Sequence, residues 1–97
     1  MDVLVLGGAG QVGTELLALA WPDGVHVHAP SRTDLDITDA DAVAAALAAR
    51  DFRAVINTAA YTAVDKAESD VVAAWRLNAL APAILAAATA ARQIPLV

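Results

Sequence analysis

The chain opens on a continuous apolar run, Val3-Leu4-Val5-Leu6, with no polar alternation. Such a run suits a strand buried on both faces of a parallel sheet. Glycines end it at once. From Gln11 to Ala20 the apolar Val12, Leu16, Leu17 and Leu19 recur at helical spacing, until Trp21-Pro22-Asp23-Gly24 breaks the pattern. A second strand is predicted over Val25 to Ala29, then a polar stretch from Pro30 to Asp39, then a second helix from Ala40 to Arg50 with Asp39 as its N-cap. A third short strand, Ala54-Val55-Ile56-Asn57, leads into a loop containing Tyr61 and Thr62. A long alanine-rich helical region follows from about Asp70 to Arg92, which Pro82 is expected to kink or divide. Ile94-Pro95-Leu96-Val97 reads as the start of a fourth strand.

Strands that alternate with helices imply right-handed crossovers and a parallel sheet. The expected fold is α/β, a Rossmann-like doubly wound sheet of about four strands in a three-layer αβα arrangement. Residues 1–97 are read as one domain of this kind, its N-terminal part only. In a sheet of order 3-2-1-4 the fourth segment is expected beside the first, in the middle of a complete sheet. An ending there leaves an apolar edge, so the catalytic and substrate-binding parts are expected to lie elsewhere.

Composition narrows the classes. Hydrophobic residues make up 59% of the 97 and charged residues 18%, which argues against disorder from low hydropathy, and no apolar run reaches the roughly 18 residues of a membrane span. The start of the chain lacks the positive and long apolar regions of a secretory signal, and there is no cysteine. The expected compartment is the cytoplasm. A net charge of -5, with six scattered Lys and Arg, opposes binding to a nucleic-acid backbone. It does not oppose a pyrophosphate held locally by backbone N–H groups and a helix N-terminus.

The glycines supply such a place. Gly8, Gly10 and Gly13 form G-x-G-x-x-G, and Gly7, Gly10 and Gly13 form G-x-x-G-x-x-G. A strand before them and a helix after them give the context of a dinucleotide turn: glycine permits the tight turn, the backbone's approach to the pyrophosphate and close packing of helix on strand. Many NAD-binding units place an acidic residue at the end of the second strand, to hold the ribose hydroxyls. Here that corner reads Ala29-Pro30-Ser31-Arg32. A hydroxyl beside a guanidinium suits a 2′-phosphate, so NADP is preferred; Asp34 keeps NAD as the alternative.

His26 and His28 lie two apart on the second strand, but two ligands without a third do not make a metal site, and no metal is assigned. They read as packing or pairing residues, and Trp21 and Trp75 as core or edge packing.

Beyond the glycines come Leu35-Asp36-Ile37-Thr38-Asp39, the run from Val55-Ile56-Asn57-Thr58-Ala59-Ala60-Tyr61-Thr62 through Ser69, and Asn78. Together these resemble the dTDP-4-dehydrorhamnose reductase family of extended short-chain dehydrogenases, over essentially all 97 residues and about the first third of a typical member. The resemblance implies that Gly10, Gln11 and Val12 meet the pyrophosphate, that Asp36 and Ile37 meet the adenine, and that Ala59, Ala60, Tyr61 and Thr62 line the dinucleotide. It has Asn78 support the loop on the cofactor side. The alternative for Asp36 is a turn or cap residue, as its type allows. Asp65, Lys66 and Glu68 read first as a solvated face. A lone glutamate such as Glu15 reads first as a helix-dipole partner.

The implied reaction is hydride transfer from NADPH to C4 of dTDP-4-dehydro-L-rhamnose, giving dTDP-L-rhamnose, with a proton from a tyrosine whose pKa a lysine lowers. The partner is then a nucleotide-sugar, and a homodimer is compatible. The family places a Ser or Thr and a Tyr-x-x-x-Lys after the fourth strand, and these 97 residues hold no such pair: Tyr61 precedes Lys66 by five positions. No catalytic residue is assigned, and the chain alone is expected to be inactive. Two positions depart from the family's habit: Ser31 stands where an acidic residue is frequent, and Thr58 interrupts a run commonly all alanine. The alternative reading is a non-catalytic NAD(P)-binding regulatory module.

Overall fold

In a computed structural model of the chain, residues 1–7, 11–58 and 71–97 are described. The elements are β1 (Asp2–Leu6), α1 (Gln11–Ala18), β2 (His26–His28), α2 (Ala40–Ala49), β3 (Phe52–Asn57), α3 (Val71–Trp75), a π-helical turn (Arg76–Leu80) and α4 (Ala81–Ala91). β1 lies between β2 and β3, and both pairings are parallel. The order β2-β1-β3 corrects the expected 3-2-1-4: the third strand, not the fourth, occupies the open edge of β1. Ladder length supplies a reason. β2 offers three residues to a new neighbour, whereas β1 pairs with β3 along its whole length, from Asp2 opposite Phe52 to Leu6 opposite Asn57.

The fourth segment pairs with β3 instead. The Val55 N–H donates to the Pro95 carbonyl, Val97 N–H to Val55, and Asn57 N–H to Val97, at 2.9–3.0 Å. Leu96 thereby forms a parallel bridge opposite Val55.

β3 begins two residues earlier than its apolar run suggests. Its register shifts between Asp2 and Val3, so that Asp2 faces Phe52 while Val3 faces Ala54, and Arg53 is the unpaired residue of a bulge. In an unbroken strand Phe52 and Val55 would point to opposite faces. The extra residue puts both on the face of Leu4 and Leu6, where all four are buried. An exposed arginine inside a strand thus hides the alternation that would have identified it.

That face carries the core. Leu4, Leu6, Phe52 and Val55 pack with Val43 and Leu47 of α2, Ala81 and Leu85 of α4, and Leu35 and Ile37 of the loop after β2. Val43 and Leu47 are four residues apart, as are Ala81, Leu85 and Thr89, so each helix presents one stripe inward. Small side chains between those stripes, Ala42, Ala46 and Ala88, pack against the same cluster. Thr89 is buried, and its hydroxyl donates to the Leu85 carbonyl at 2.7 Å, which satisfies it inside the helix. On the opposite face of β1, Val3 and Val5 are buried as well, as a doubly covered strand requires. Since β1 to β2 and β2 to β3 run in opposite directions across the sheet, right-handed crossovers place α1 on the face away from α2.

The helix ends follow local chemistry. Asp39 caps α2 as expected, accepting from the Asp41 and Ala42 N–H groups at 3.1 and 3.2 Å. Arg50 and Arg92 stand at the C-caps of α2 and α4, where a cation offsets the negative end of the helix dipole. The single long helix expected from Asp70 is divided as Pro82 demands. Proline occupies the first turn of α4, and the π-helical turn immediately before it widens the backbone where the ring would meet the carbonyl four residues back. α1 stops at Ala18 and β2 spans only His26–His28, each shorter than its apolar pattern.

Trp21 is half-buried at an edge, its Nε1 donating to the Leu16 carbonyl at 3.1 Å. Trp75, expected to pack, is exposed. His28 pairs with a neighbour: its Nε2 lies 2.8 Å from Asp2 Oδ1, and its ring meets Phe52 edge-on with centroids 5.6 Å apart.

Leu85→Ala, which empties a fully buried site between α4 and the sheet, is expected to cost about 2–5 kcal/mol in denaturant unfolding; Leu96→Ala, at the partly exposed edge, is expected to cost far less. The hydrogen bond from His28 holds the Asp2 carboxyl below the usual carboxylate range, against an opposing effect of partial burial. A carboxyl lowered on folding stabilises the fold above its unfolded value and loses that contribution as pH falls through the folded one. Unfolding midpoints measured from pH 6 down to pH 2 are therefore expected to fall less steeply for Asp2→Asn, with the parent's advantage over the variant narrowing below about pH 4.

Candidate dinucleotide site

The strand order creates the site. β1 leads to β2 on one side and the chain returns to β3 on the other, so β1 and β3 flank a topological switch point, and open α/β sheets bind ligands beyond the carboxyl ends of the strands there. β1 ends at Leu6, and Gly7 follows with φ of 81°, a conformation that side chains other than glycine rarely adopt. α1 begins at Gln11, and Gly13 within it is buried, as close packing of helix on sheet requires.

Beside this turn lies a small cleft lined by Leu6, Gly7, Pro30, Arg32, Leu35, Asp36 and Ile37. Four positions singled out in the sequence, Gly7, Arg32, Asp36 and Ile37, meet there. Leu35 and Ile37 are anchored in the core, which fixes the loop between β2 and α2 and leaves the residues alternating with them exposed. Arg32 is exposed and forms no ion pair among the described residues. The cleft therefore combines apolar walls with the Arg32 cation and the Asp36 carboxylate, and the walls and the cation suit a flat heteroaromatic ring that carries an anionic group.

Two side chains at the site also shape the loop. Asp36 Oδ1 accepts from the Thr38 N–H at 2.9 Å and from the Thr38 hydroxyl at 2.6 Å, so the turn role its type suggested is realised together with its place in the cleft. Ser31 does not line the cleft. Its hydroxyl lies 2.8 Å from that of Thr33 and accepts from the Asp34 N–H at 3.2 Å, closing the turn that carries Arg32. Asn78 is exposed on the π-helical turn. Gln11 and Val12 open α1. Gly10, Ala59, Ala60, Tyr61 and Thr62 lie outside the described residues.

The sequence marks Thr58 only as a departure from the family's run, and gives Pro30 and Leu35 no role of their own. The Thr58 hydroxyl donates to the Leu6 carbonyl at 2.6 Å and reaches the Gly7 carbonyl at 3.2 Å, joining the end of β3 to the start of the glycine turn. The available signal was a hydroxyl directly after a strand that ends level with the first. Among the described residues no His, Cys, Asp and Glu group is arranged to hold a metal ion, and no helix is long and apolar enough to cross a membrane.

The family described as RmlD substrate binding domain matches residues 1–97. A probable dTDP-4,6-dihydroxy-2-methyloxan-3-one 4-ketoreductase of Streptomyces antibioticus is 47% identical over 86 residues, 89% of this chain and 29% of that protein. The dTDP-4-dehydrorhamnose reductase of Streptomyces griseus is 45% identical over 85 residues, 88% of this chain and 28% of that protein. The crystal structure of dTDP-4-dehydrorhamnose reductase from Bacillus anthracis str. Ames in complex with NADP superposes with a TM-score of 0.90 at 28% identity, covering 98% of this chain and 34% of that one. The chain thus spans less than a third of the length of the curated relatives it matches. By the match along its whole length, and by identity over nearly nine-tenths of it, this chain belongs to the dTDP-4-dehydrorhamnose reductase family.

Proposed function

We propose that these residues form part of the cofactor-binding portion of an NADP-dependent reductase acting on the 4-keto group of a dTDP-sugar. The observation that carries the reading is the cleft in which Arg32, Asp36 and Ile37 stand beside Gly7 at the switch point of the sheet. In this reading Gly7, Gly10 and Gly13 form the pyrophosphate turn, and Gln11 and Val12 contribute the first N–H groups of α1, whose positive dipole end favours an anion. Leu35, Ile37 and Pro30 enclose the adenine. Arg32, which no described carboxylate neutralises, binds the 2′-phosphate, and Ser31 holds Arg32 in place through the turn it closes. Ala59, Ala60, Tyr61 and Thr62 line the remainder of the dinucleotide, and Asn78 supports the loop on that side.

NADPH, when bound, supplies the hydride for the C4 carbon. What this portion contributes is grip and orientation, since the 97 residues contain no Tyr-x-x-x-Lys to supply a proton. The substrate that fits the family best is dTDP-4-dehydro-L-rhamnose. The 47% identical relative bears the name of a different dTDP-4-keto-sugar reductase, and that sugar is the natural competitor in an assay.

The cofactor assignment is tested by titrating NADP and NAD into the native full-length polypeptide and its Arg32→Ala variant. Loss of a charge-assisted phosphate contact is expected to weaken NADP about tenfold or more and to leave NAD within about twofold. Equal losses for both cofactors would remove Arg32 from the 2′-phosphate. Turnover of the 4-keto sugar with NADPH tests the reaction itself.

A further inference from the structure

Thr58 makes a contact that sheet pairing does not require. The Leu6 carbonyl already accepts the Thr58 backbone N–H at 2.9 Å, which completes the ladder between β1 and β3. The hydroxyl adds a second bond to that carbonyl at 2.6 Å and reaches the next carbonyl, that of Gly7, at 3.2 Å. Successive carbonyls of an extended strand point in opposite directions, so one hydroxyl cannot meet two of them. It meets both here because Gly7, at φ 81°, has turned its backbone out of the strand. The hydroxyl therefore sits at the point where β1 becomes the glycine turn.

We propose that Thr58 is a positioning residue for the pyrophosphate of the dinucleotide, acting through the Leu6 and Gly7 carbonyls and not by touching the cofactor. The inference rests on the dinucleotide reading above. A peptide group is planar and its carbonyl and following N–H point opposite ways, so holding the Gly7 carbonyl fixes the direction in which the turn leaves the strand. Glycine at position 7 has more backbone conformations open to it than any other residue would, and a backbone held in advance binds its ligand without the full entropic cost of ordering. Thr58 does not line the cleft that holds Arg32: it anchors the turn, whereas Arg32 and Ile37 belong to the loop after β2.

The test compares Thr58→Ser, which keeps the hydroxyl, with Thr58→Val and Thr58→Ala, which remove it, in the native full-length polypeptide. Each is titrated with NADP and with adenosine 2′-monophosphate, which has no pyrophosphate. Removal of the hydroxyl is expected to weaken NADP about tenfold while adenosine 2′-monophosphate stays within about twofold, and Thr58→Ser is expected to bind both as the parent does. Unchanged NADP affinity in Thr58→Val and Thr58→Ala would overturn the proposal, as would parallel loss of both ligands, which marks a general structural role. A parent protein that binds neither ligand refutes the dinucleotide reading itself, and the role of Thr58 with it.

Discussion

β1 is paired on both edges and buried on both faces, and the other elements take their places from it. Val3, Leu4, Val5 and Leu6 leave almost no surface to solvent, so every backbone group of the strand must find its partner in a neighbouring strand. β3 provides those partners along the whole strand and β2 from Asp2 to Leu4. Covering both faces requires helices above and below, and right-handed crossovers supply them only if the chain crosses to opposite sides of β1 on successive returns. The switch point beyond the carboxyl ends of β1 and β3 is thus a consequence of burying one apolar strand completely.

The same constraint organises the loops at that end. The segment after β2 cannot float, because Leu35 and Ile37 are part of the core shared by α2, α4 and the sheet. Anchoring alternate residues leaves Asp36 between them at the surface, where its carboxylate closes a turn through Thr38. Ser31 closes the preceding turn. Arg32 is therefore presented by a loop held at both ends and from within, which gives a long flexible side chain a defined point of departure. On the other side, Thr58 ties the end of β3 to the turn after β1.

At the other end of β1, Asp2 and His28 meet across the pairing of β1 with β2, and the bulge at Arg53 brings Phe52 to the same face. Asp2 and His28 lie on adjacent strands, and a pair only partly withdrawn from water contributes little in general. The bulge has the larger consequence, since it turns Phe52 into the core beside Val55.

Much of this was legible from the order of residues. Continuous apolar runs marked β1 and the inner part of β3, the glycine cluster marked the turn, and Asp39 and Pro82 marked helix starts, because each reports a local preference of backbone or side chain that no distant contact has to supply. The run from Asn57 to Ser69 carried the family. Strand order, the bulge, the second role of Asp36 and the clamp by Thr58 were decided by tertiary structure. Whether β3 pairs with β2 or with β1 depends on how long a ladder each offers. A bulge removes the very alternation by which a strand is recognised. Thr58 and Gly7 are 51 positions apart, so only the pairing of β1 with β3 brings that hydroxyl to the carbonyls where the strand turns.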